Sequence, residues 1–477
     1  MIKVIDIFAG PGGLGEGFAS FKNANQSRFK LMLSIEKDPY AHKTLRLRSF
    51  ARNLLLATNS QIYEYYSTGG PDVLEEIKRK YHSQWDDAEK EAVLHELDAK
   101  NKTKTEGLIQ SALDGEKNWV LLGGPPCQAY SLVGRARRKN ENRTKFANDK
   151  RHTLYKEYLH ILHKFKPSVF IMENVKGILS AKHKGKMIFQ NICRDLSRAG
   201  PGYSLYSLSG AAALDSQGQW QKDAFVIRAE QHGIPQKRHR VFILGVRNDI
   251  KRKPIPLVPS SKEVPLEIAI EGLPPIRSRL SSGDKYHKWL KCRNEGLKLA
   301  GLKIRDGICE SFGAEFVAQR NNKEWFMADM HMPGILNHGS RSHLAKDVMR
   351  YAFSAAYASK HGRSPTVFEF PKSLLPKHKN LRRKNVPFID RFKVQVRNRP
   401  ASTITSHISK DGHYYIHPDP AQARSLTVRE AARLQTFQDN YRFEGPRTEQ
   451  YKQVGNAVPP LLAQKIAHVV ADLLERV

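Results

Sequence analysis

Cysteine is scarce in this sequence of 477 residues, which contains only four. Cys127, Cys193, Cys292 and Cys309 form no close CxxC pair, and no histidine stands beside them at zinc-ligand spacing. The pattern argues against a disulfide framework and against a structural zinc site. We therefore predict no metal site, and we expect the protein to work in a reducing compartment.

Long apolar segments are missing as well. No stretch approaches about 18 uninterrupted apolar residues, and no strongly amphipathic basic helix stands out. Residues 1–6 lead directly into a predicted strand, which leaves no room for a signal or transit peptide. We expect a cytoplasmic protein that makes no membrane contact.

Acidic residues are few relative to basic ones, with 47 Asp and Glu against 79 Lys and Arg, so the formal net charge is +32. Such an excess is larger than solubility requires and indicates a polyanionic partner. Nucleic acid is the first candidate, and an anionic membrane surface is the alternative. The length and an apolar content of 40% predict a folded protein of two domains.

The first forty residues have the pattern of a strand, a glycine-rich turn, a helix and a second strand. Residues 4–9 and 30–35 are the predicted strands, and Gly10, Gly12 and Gly15 fit a G-x-G-x-x-G turn. Glu36 ends the second strand, where an acid suits a ribose hydroxyl. The turn alone does not distinguish a nicotinamide dinucleotide from S-adenosylmethionine.

A candidate nucleophile follows the predicted buried strand at residues 119–122. Two glycines allow a sharp exit from this strand, and two prolines restrict the backbone just before Cys127. By itself, a free cysteine is more often a small buried apolar residue than a nucleophile. A basic run follows at residues 134–139 and continues through 148–151. It is either a solvated surface or a segment that binds phosphates.

Further charged residues adjoin two more predicted strands. Glu173 follows a strand at residues 168–172, at the carboxyl edge where catalytic residues of α/β sheets collect. Arg238 and Arg240 are two residues apart on an extended segment, so their side chains project to the same side. Strands are also predicted at residues 225–230 and 241–246, and a helix from Leu154 to about residue 166. Taken singly, a strand-end Glu is commonly a surface residue and such arginines are commonly salt-bridged.

In this order, the motifs resemble those of the DNA (cytosine-5)-methyltransferases. The matching segments are Asp-Ile-Phe-Ala-Gly-Pro-Gly-Gly at residues 6–13, Pro-Cys-Gln at 126–128, Glu-Asn-Val at 173–175, Gln-Lys-Arg-His-Arg at 236–240, Arg-Pro-Ala-Ser-Thr-Ile-Thr at 399–405 and Gly-Asn at 455–456. The resemblance implies an α/β, Rossmann-like catalytic domain that uses S-adenosylmethionine and releases S-adenosylhomocysteine. A smaller target-recognition domain is implied too.

The resemblance also implies roles for single residues. Cys127 adds to C6 of a cytosine flipped out of duplex DNA, protonated Glu173 binds N3 and the 4-amino group, Arg240 contacts O2, and Arg238 helps to set the thiol loop. Glu36 holds the ribose, and Phe8 packs near the adenine. The other expected cofactor contacts are Gly10, Gly12, Gly13, Pro126, Leu154 and Asn456, and the expected DNA contacts are Gln128, Ser131, Arg135 and Arg151.

The expected domains are a catalytic domain at residues 1–250 completed by 452–477, a target-recognition domain at 251–415 and a connecting hinge at 416–451. A helix with Thr427 as its N-cap is predicted at 426–437, and a terminal helix at 461–474. Residues 49–117 are polar and helix-prone, for example at 86–97, and resemble an insertion. Asp98 and Asp114 are the candidates there for a further acidic cofactor contact.

Three other functions fit parts of the pattern. The same chemistry could act on transfer RNA, the glycine turn could serve a nucleotide-dependent oxidoreductase, or the chain could bind DNA without catalysis. The motif set favours a monomeric DNA methyltransferase, the modification enzyme of a restriction-modification system whose endonuclease acts separately. We expect it to be associated with the nucleoid through DNA.

Overall fold

A computed structural model describes residues 1–24, 26–58, 62–125, 151–183, 186–304, 310–318, 332–376 and 389–475. The strands of its first half are β1 (Ile2–Ile7), β2 (Lys22–Asn23), β3 (Gln26–Ser27), β4 (Phe29–Glu36), β5 (Ala92–Leu94), β6 (Trp119–Gly123), β7 (Val169–Val175), β8 (Lys182–His183), β9 (Lys186–Met187), β10 (Tyr203–Tyr206), β11 (Val226–Arg228), β12 (Gln236–Lys237) and β13 (His239–Arg247). Those of the second half are β14 (Arg279–Leu280), β15 (Phe316–Ala318), β16 (Gly334–Leu336), β17 (Ser342–His343) and β18 (Ala401–Ser402).

Eight of these strands form the central sheet, in the order β10-β13-β7-β6-β1-β4-β5, with β11 paired to β13. The five strands from β7 to β5 are parallel, whereas β13 runs antiparallel to β7. The carboxyl ends of the parallel strands therefore share one edge, which is where open α/β sheets bind ligands.

Helices cover both faces of this sheet. The helices are α1 (Gly13–Ala19), α2 (Pro39–Thr58), α3 (Ile62–Thr68), α4 (Pro71–Lys80), α5 (His82–Glu91), α6 (Lys102–Leu113), α7 (Arg151–Phe165), α8 (Ile188–Ser197), α9 (Leu266–Ile270), α10 (Tyr286–Leu299), α11 (Ala345–His361), α12 (Val428–Leu434), α13 (Arg447–Asn456) and α14 (Pro460–Glu475). One face of the sheet packs against α1 and α14, and the other packs against α6, α7 and α8.

The apolar runs at residues 30–35, 119–122 and 241–246 lie within strands, as predicted. The runs at 4–9 and 168–172 also form strands, but β1 ends at Ile7 and β7 begins at Val169. Two predictions need correction. The helix-prone run at 86–97 contains β5, because α5 ends at Glu91 and the next three residues pair with β4. The strand expected at 225–230 is only the three residues of β11, since 3-10 turns replace its two ends.

The second half contains smaller apolar clusters. Helices α10 and α11 pack together around Trp289, Val348 and Ala352, and α9 packs with α12 and α13 in another cluster. The insertion is joined to this half, because Tyr63, Tyr65 and Tyr66 belong to one cluster with Met332 and Leu336. Contacts between the two halves therefore include the inserted helices.

Residues 416–451 are largely buried and carry internal ion pairs. Arg424 pairs with Glu430 at 2.6 Å, and Arg433 pairs with Asp439 at 2.7 Å. Thr427 caps α12 as predicted, since its hydroxyl accepts from the Glu430 N–H at 3.2 Å. The cap fixes the start of this helix.

One helical stretch of the described chain, Arg447–Glu475, is long and apolar enough to cross a membrane by length and composition. It comprises α13 and α14, and 67% of its most apolar window is buried within the fold. Core helices that pack on a sheet meet the same criterion.

Candidate active site

Glu173 and Arg240 meet at the carboxyl edge of the sheet, on the neighbouring strands β7 and β13. The antiparallel register places Arg240 opposite Val175 and Glu173 opposite Phe242. Arg240 Nε lies 3.2 Å from Glu173 Oε1, and each side chain keeps 15% of its surface exposed. The structure thus brings together two of the predicted catalytic side chains.

Burial dominates the electrostatics of this pair. It raises the pKa of Glu173 above that of an ordinary glutamate, although the charges of Arg240 and Arg238 act to lower it. Burial also lowers the pKa of Arg240, with the charge of Glu173 opposing that shift. The Glu173 carboxyl is therefore more easily protonated than an exposed one, despite its ion pair.

Gly124 and Pro125, which begin the predicted loop that carries the Cys127 thiol, lie against Glu173 and Asn174. A Cβ on Gly124 would stand 3.1 Å from Glu173 Oε2, so only glycine fits there without displacing the carboxyl. Asn174 Nδ2 donates to the carbonyl of Pro125 at 3.4 Å. The chain is thereby held next to the carboxyl group just before the segment that contains the predicted nucleophile.

Several predicted site residues lie outside the described part of the chain. They are Pro126, Cys127, Gln128, Ser131 and Arg135. Arg151 begins α7, but its side chain also lies outside the described part. The structure therefore describes the side chain of none of the four expected DNA contacts.

Arg238 is buried and connects the catalytic sheet to two later segments. Its Nη1 donates to the carbonyls of Ile404 at 2.8 Å and of Gly455 at 3.4 Å. The thiol loop that it was expected to support falls outside the described residues. Its described contacts instead place it beneath the segment that ends at Asn456.

Gln236 is a residue whose role the sequence motif did not reveal. Its Oε1 accepts from the Ile404 N–H at 3.0 Å, and its Nε2 donates to the Leu434 carbonyl at 2.9 Å and to Gln435 Oε1 at 2.7 Å. Gln435 in turn donates to the Val454 carbonyl at 2.6 Å. Its position two residues before Arg238, on the same side of an extended segment, is the only sequence signal for this role.

Glu36 lies at the same edge of the sheet and holds the glycine turn. Its Oε2 accepts from the Gly10 N–H at 2.7 Å, and its Oε1 accepts from the N–H groups of Lys37 at 2.9 Å and Asp38 at 2.8 Å. A carboxylate has about four acceptor positions, so one on Oε2 remains for a ribose hydroxyl. Burial raises the pKa of Glu36 against the effect of these hydrogen bonds.

The glycine turn is open on one side and tightly packed on the other. Gly10 has φ 58°, and a Cβ there would meet nothing within 4 Å, so a ligand can approach the backbone. A Cβ on Gly13 would stand 2.2 Å from the Val458 carbonyl, which explains why this position packs as glycine. Gly12 also has a positive φ of 93°, and half-buried Phe8 has φ 57°. These features fit a turn that receives a nucleotide-like cofactor.

A buried charge network supports the turn from below, and the sequence motifs did not indicate it. Arg48 pairs with Glu16 at 2.5 Å, and Arg52 pairs with Glu91 at 2.6 Å. Asp6 accepts from the Gly15 N–H at 3.1 Å, and burial raises its pKa to about 7. The turn is therefore fixed by several helices at once.

The remaining cofactor candidates are dispersed. Leu154 is buried in α7, and Asn456 is the exposed last residue of α13. Asp98 follows β5 and caps a 3-10 turn by accepting from the Asn101 N–H at 2.9 Å. Asp114 ends α6 next to Leu113, whose carbonyl accepts from Lys3 at the amino end of β1. Asp98 is thus the candidate on the same edge as Glu36.

The described residues contain no group of three or more His, Cys, Asp and Glu side chains that could hold a metal ion. Cys193 and Cys292 are buried, and burial raises the pKa of both thiols. Neither is activated as a nucleophile.

The central sheet has five parallel strands, is covered by helices on both faces, and carries a glycine turn after β1 and an acid at the end of β4. Together with the Glu173 and Arg240 pair, these features define a Rossmann-like methyltransferase domain. The family described as C-5 cytosine-specific DNA methylase matches residues 75–471. The chain belongs to this family, and its enzyme class is DNA (cytosine-5-)-methyltransferase. A nucleotide-dependent oxidoreductase is excluded as its class.

Individual relatives extend the match over the whole chain. A type II methyltransferase of Bacillus paralicheniformis is 34% identical over 491 aligned positions, which cover 99% of each chain. A type II methyltransferase of Desulfomicrobium norvegicum is 27% identical and covers 100% of this chain and 90% of its own.

A third relative, a DNA (cytosine-5-)-methyltransferase of Aeropyrum pernix, is 28% identical over 77% of this chain and 84% of its own. Among solved structures, a prophage-encoded protein of Escherichia coli described as a DNA modification methyltransferase superposes with a TM-score of 0.56. It is 20% identical and covers 100% of both chains, which supports the fold alone.

Proposed function

We propose that the protein methylates C5 of a cytosine flipped out of duplex DNA, with Cys127 as the nucleophile. The observation that carries this proposal is the pairing of Glu173 with Arg240 at 3.2 Å beside Gly124 and Pro125, where the thiol loop begins. Cys127 follows Pro125 by two residues in the sequence.

C5 of cytosine is too weakly nucleophilic to be methylated without activation. In the proposed step, the Cys127 thiolate forms a bond to C6, and the displaced electron pair moves toward N3 and O2. Protonated Glu173 donates to N3, and the Arg240 guanidinium stabilises the charge at O2. C5 then takes the methyl group from the sulfonium, and a water molecule accepts the C5 proton. The C6–S bond breaks in the same elimination, which restores the thiolate, and the proton on N3 returns to Glu173.

The methyl donor that we propose is S-adenosylmethionine, held at the edge formed by Gly10 and Glu36. The free acceptor position on Glu36 and the open face of Gly10 support this site. When bound, the sulfonium supplies an electrophilic methyl group and leaves as S-adenosylhomocysteine. The further proposed contacts are Phe8, Gly12, Gly13, Pro126, Leu154 and Asn456.

The C6 face is covered by stacking inside a duplex, so the target base must leave the helix at a cost of a few kcal/mol. We propose that residues 251–415 are the recognition domain that offsets this cost by binding DNA, and that 416–451 connect it to the catalytic domain of 1–250 and 452–477. The basic excess of +32 suits this partner. Gln128, Ser131, Arg135 and Arg151 are proposed contacts near the thiol.

We propose that the enzyme is the modification component of a restriction-modification system. Relatives from Bacillus paralicheniformis and Desulfomicrobium norvegicum are named type II methyltransferases. In such a system the enzyme acts as a monomer in the cytoplasm, at the nucleoid, and a separate endonuclease cleaves unmodified sites.

Transfer of a labelled methyl group distinguishes this function from its nearest alternative. The full chain is incubated with S-adenosylmethionine labelled in the methyl group, and with either duplex DNA or transfer RNA. We expect label in 5-methylcytosine of the duplex and none in the RNA. Label in RNA alone, or in neither substrate, would contradict the proposal.

A further inference from the structure

Arg279 is an exposed arginine whose guanidinium is supported by an aromatic ring. It lies in β14, and its Cζ is 4.3 Å from the centroid of the Phe312 ring. Arg277, two residues earlier, lies 4.4 Å from the same centroid. Stacking on a ring restricts a guanidinium before any partner binds, so less conformational entropy is lost on binding.

The two arginines differ in how their charges are neutralised. Arg277 is buried and binds both carboxylate oxygens of Asp284, at 2.9 and 3.2 Å. Arg279 is close enough to contribute to the lowered pKa of Asp284, but within the described residues it forms no ion pair. Its donors are consequently available to an external partner.

Two other arginines that lie against rings and keep some contact with solvent, Arg363 and Arg442, are ion-paired. Arg363 lies 5.2 Å from the Tyr357 ring and is bound to Glu369 at 2.5 Å, although half of its side chain is exposed. Arg442 lies 4.6 Å from the Tyr65 ring and is bound to Glu444 at 2.9 Å. Stacking on a ring is therefore common among the described arginines, and Arg279 differs from Arg363 and Arg442 in that it is exposed without an ion pair.

A short path of strand pairing and of hydrogen bonds from arginine side chains to carbonyls joins Arg279 to Arg238. Its strand pairs in parallel with β17, where Arg279 is opposite exposed Ser342. The adjacent Arg341 donates to the Ile408 carbonyl at 2.7 Å. Ile408 belongs to the same short segment as Ile404, whose carbonyl accepts from Arg238. The position of Arg279 is thus fixed relative to the catalytic sheet.

We infer that Arg279 determines specificity by reading a guanine of the target site, with two guanidinium N–H groups donating to O6 and N7 in the major groove. The inference rests on the proposed function, because it assigns one contact of the same DNA substrate. The planar guanidinium of Arg279, held against the Phe312 ring, can donate to two acceptors that lie in one plane, as O6 and N7 of guanine do. Arginine with guanine is also the commonest specific contact between a side chain and a base. Binding of a phosphate does not require such a fixed, planar donor, because a flexible lysine side chain can also provide the positive charge.

The test compares the sites methylated by Arg279→Ala, Arg279→Lys and a matched control, Arg363→Ala. Each full-length protein is incubated with S-adenosylmethionine and amplified bacterial DNA that carries no methylation, and bisulfite sequencing gives the methylated sites. We expect the wild type and Arg363→Ala to share one site pattern. Both Arg279 variants should lose preference for guanine at one position, with the rate at the best site reduced about tenfold or more.

The alternatives give different results. If Arg279 contacts a phosphate, Arg279→Lys retains activity and Arg279→Ala slows all sites equally without a change of pattern, which would overturn the inference. An unchanged pattern and rate in both variants would also overturn it. Absence of methylation by the wild type would instead count against the proposed function. Thermal unfolding of each variant identifies a folding defect, in which case Arg279→Gln takes the place of the unfolded variant.

Discussion

At the scale of single residues, two opposing effects act on Glu173. Its carboxyl is buried, which disfavours the charged form, yet Arg240 Nε lies 3.2 Å away, which favours that form. Burial prevails, so the pKa is raised. A flipped base that reaches Arg240 through O2 would compete for this arginine and favour the protonated carboxyl further. The ion pair holds the carboxyl at the edge of the sheet, and in the proposed mechanism the flipped base takes the place of the carboxyl at Arg240.

Replacing Glu173 by Gln tests this role. The amide keeps the shape of the side chain but cannot transfer a proton to N3, so we expect methyl transfer to slow by about 100-fold or more. The KM for S-adenosylmethionine should stay unchanged. The control is Glu106→Gln on α6, where Glu106 pairs at the surface with Lys164 at 2.6 Å. A Glu173→Gln enzyme with normal kcat would refute the assignment.

At the scale of elements, the segment from β12 to β13 joins the two halves of the molecule. β12 pairs in parallel with β18, so Gln236 and Ala401 are neighbours. The Gln236 amide then connects the backbone at Ile404 with that at Leu434 and, through Gln435, with Val454. Residues before Asn456 are therefore positioned by a chain of buried amides.

Gln236→Ala removes this connection and leaves an N–H and a carbonyl unpaired in the interior. We expect a stability loss of roughly 1–3 kcal/mol and a rise of roughly tenfold in the KM for S-adenosylmethionine. The control is Gln190→Ala, which removes a similar pair of hydrogen bonds to Trp220, at 2.7 and 3.2 Å, far from this segment. Were both variants to lose stability with unchanged KM, Gln236 would be only a structural residue.

The elements that the sequence predicted are those with a local signal. The strands at residues 119–122 and 168–172 are continuous apolar runs, and Thr427 precedes its helix with Glu430 three residues later. β5 was missed because its three residues follow a helix directly and become a strand only by pairing with β4. Such pairing is between residues distant in the sequence, which propensity does not detect.

The same distinction applies to the site. Glu173, Arg240, Glu36 and Gly10 were found because each stands in a motif that directly precedes or ends an apolar strand, or follows one. The network of Glu16, Arg48, Arg52 and Glu91 was not found, since it gathers side chains from three helices. Arg279 and Phe312 are likewise 33 positions apart in the sequence, so no local sequence pattern indicates that they are in contact.

At the scale of the whole molecule, the buried ring of His338 connects residues distant in the sequence, Thr427 and Pro274. His338 is fully buried, with Nδ1 3.0 Å from the Thr427 hydroxyl and Nε2 3.0 Å from the Pro274 carbonyl. Because a carbonyl only accepts, the proton is on Nε2 and Nδ1 accepts from Thr427. Burial lowers the pKa of His338 from 6.5 to about 4, so the ring stays neutral.

This shift predicts loss of stability in acid. Above about pH 6.5 the His338 ring is neutral in both the folded and the unfolded protein. Between about pH 6.5 and pH 4 the ring is protonated in the unfolded protein but stays neutral in the folded one, so acid favours unfolding. The contribution of His338 to the free energy of unfolding should therefore fall by about 2 kcal/mol when the pH is lowered from 7 to 5. Urea unfolding at both pH values, with His338→Gln for comparison, measures it. Equal pH dependence in the two proteins would rule out His338 as the cause.

The most direct test of the whole account is covalent trapping on duplex DNA that carries 5-fluorocytosine at the methylated site, in the presence of S-adenosylmethionine. Fluorine at C5 cannot leave as a proton does, so the thiol stays bonded to C6. We predict a denaturation-resistant adduct with the wild type and with Cys292→Ala, and DNA binding without an adduct with Cys127→Ala. An adduct formed by Cys127→Ala, or none formed by a wild-type enzyme that methylates ordinary DNA, would contradict the account.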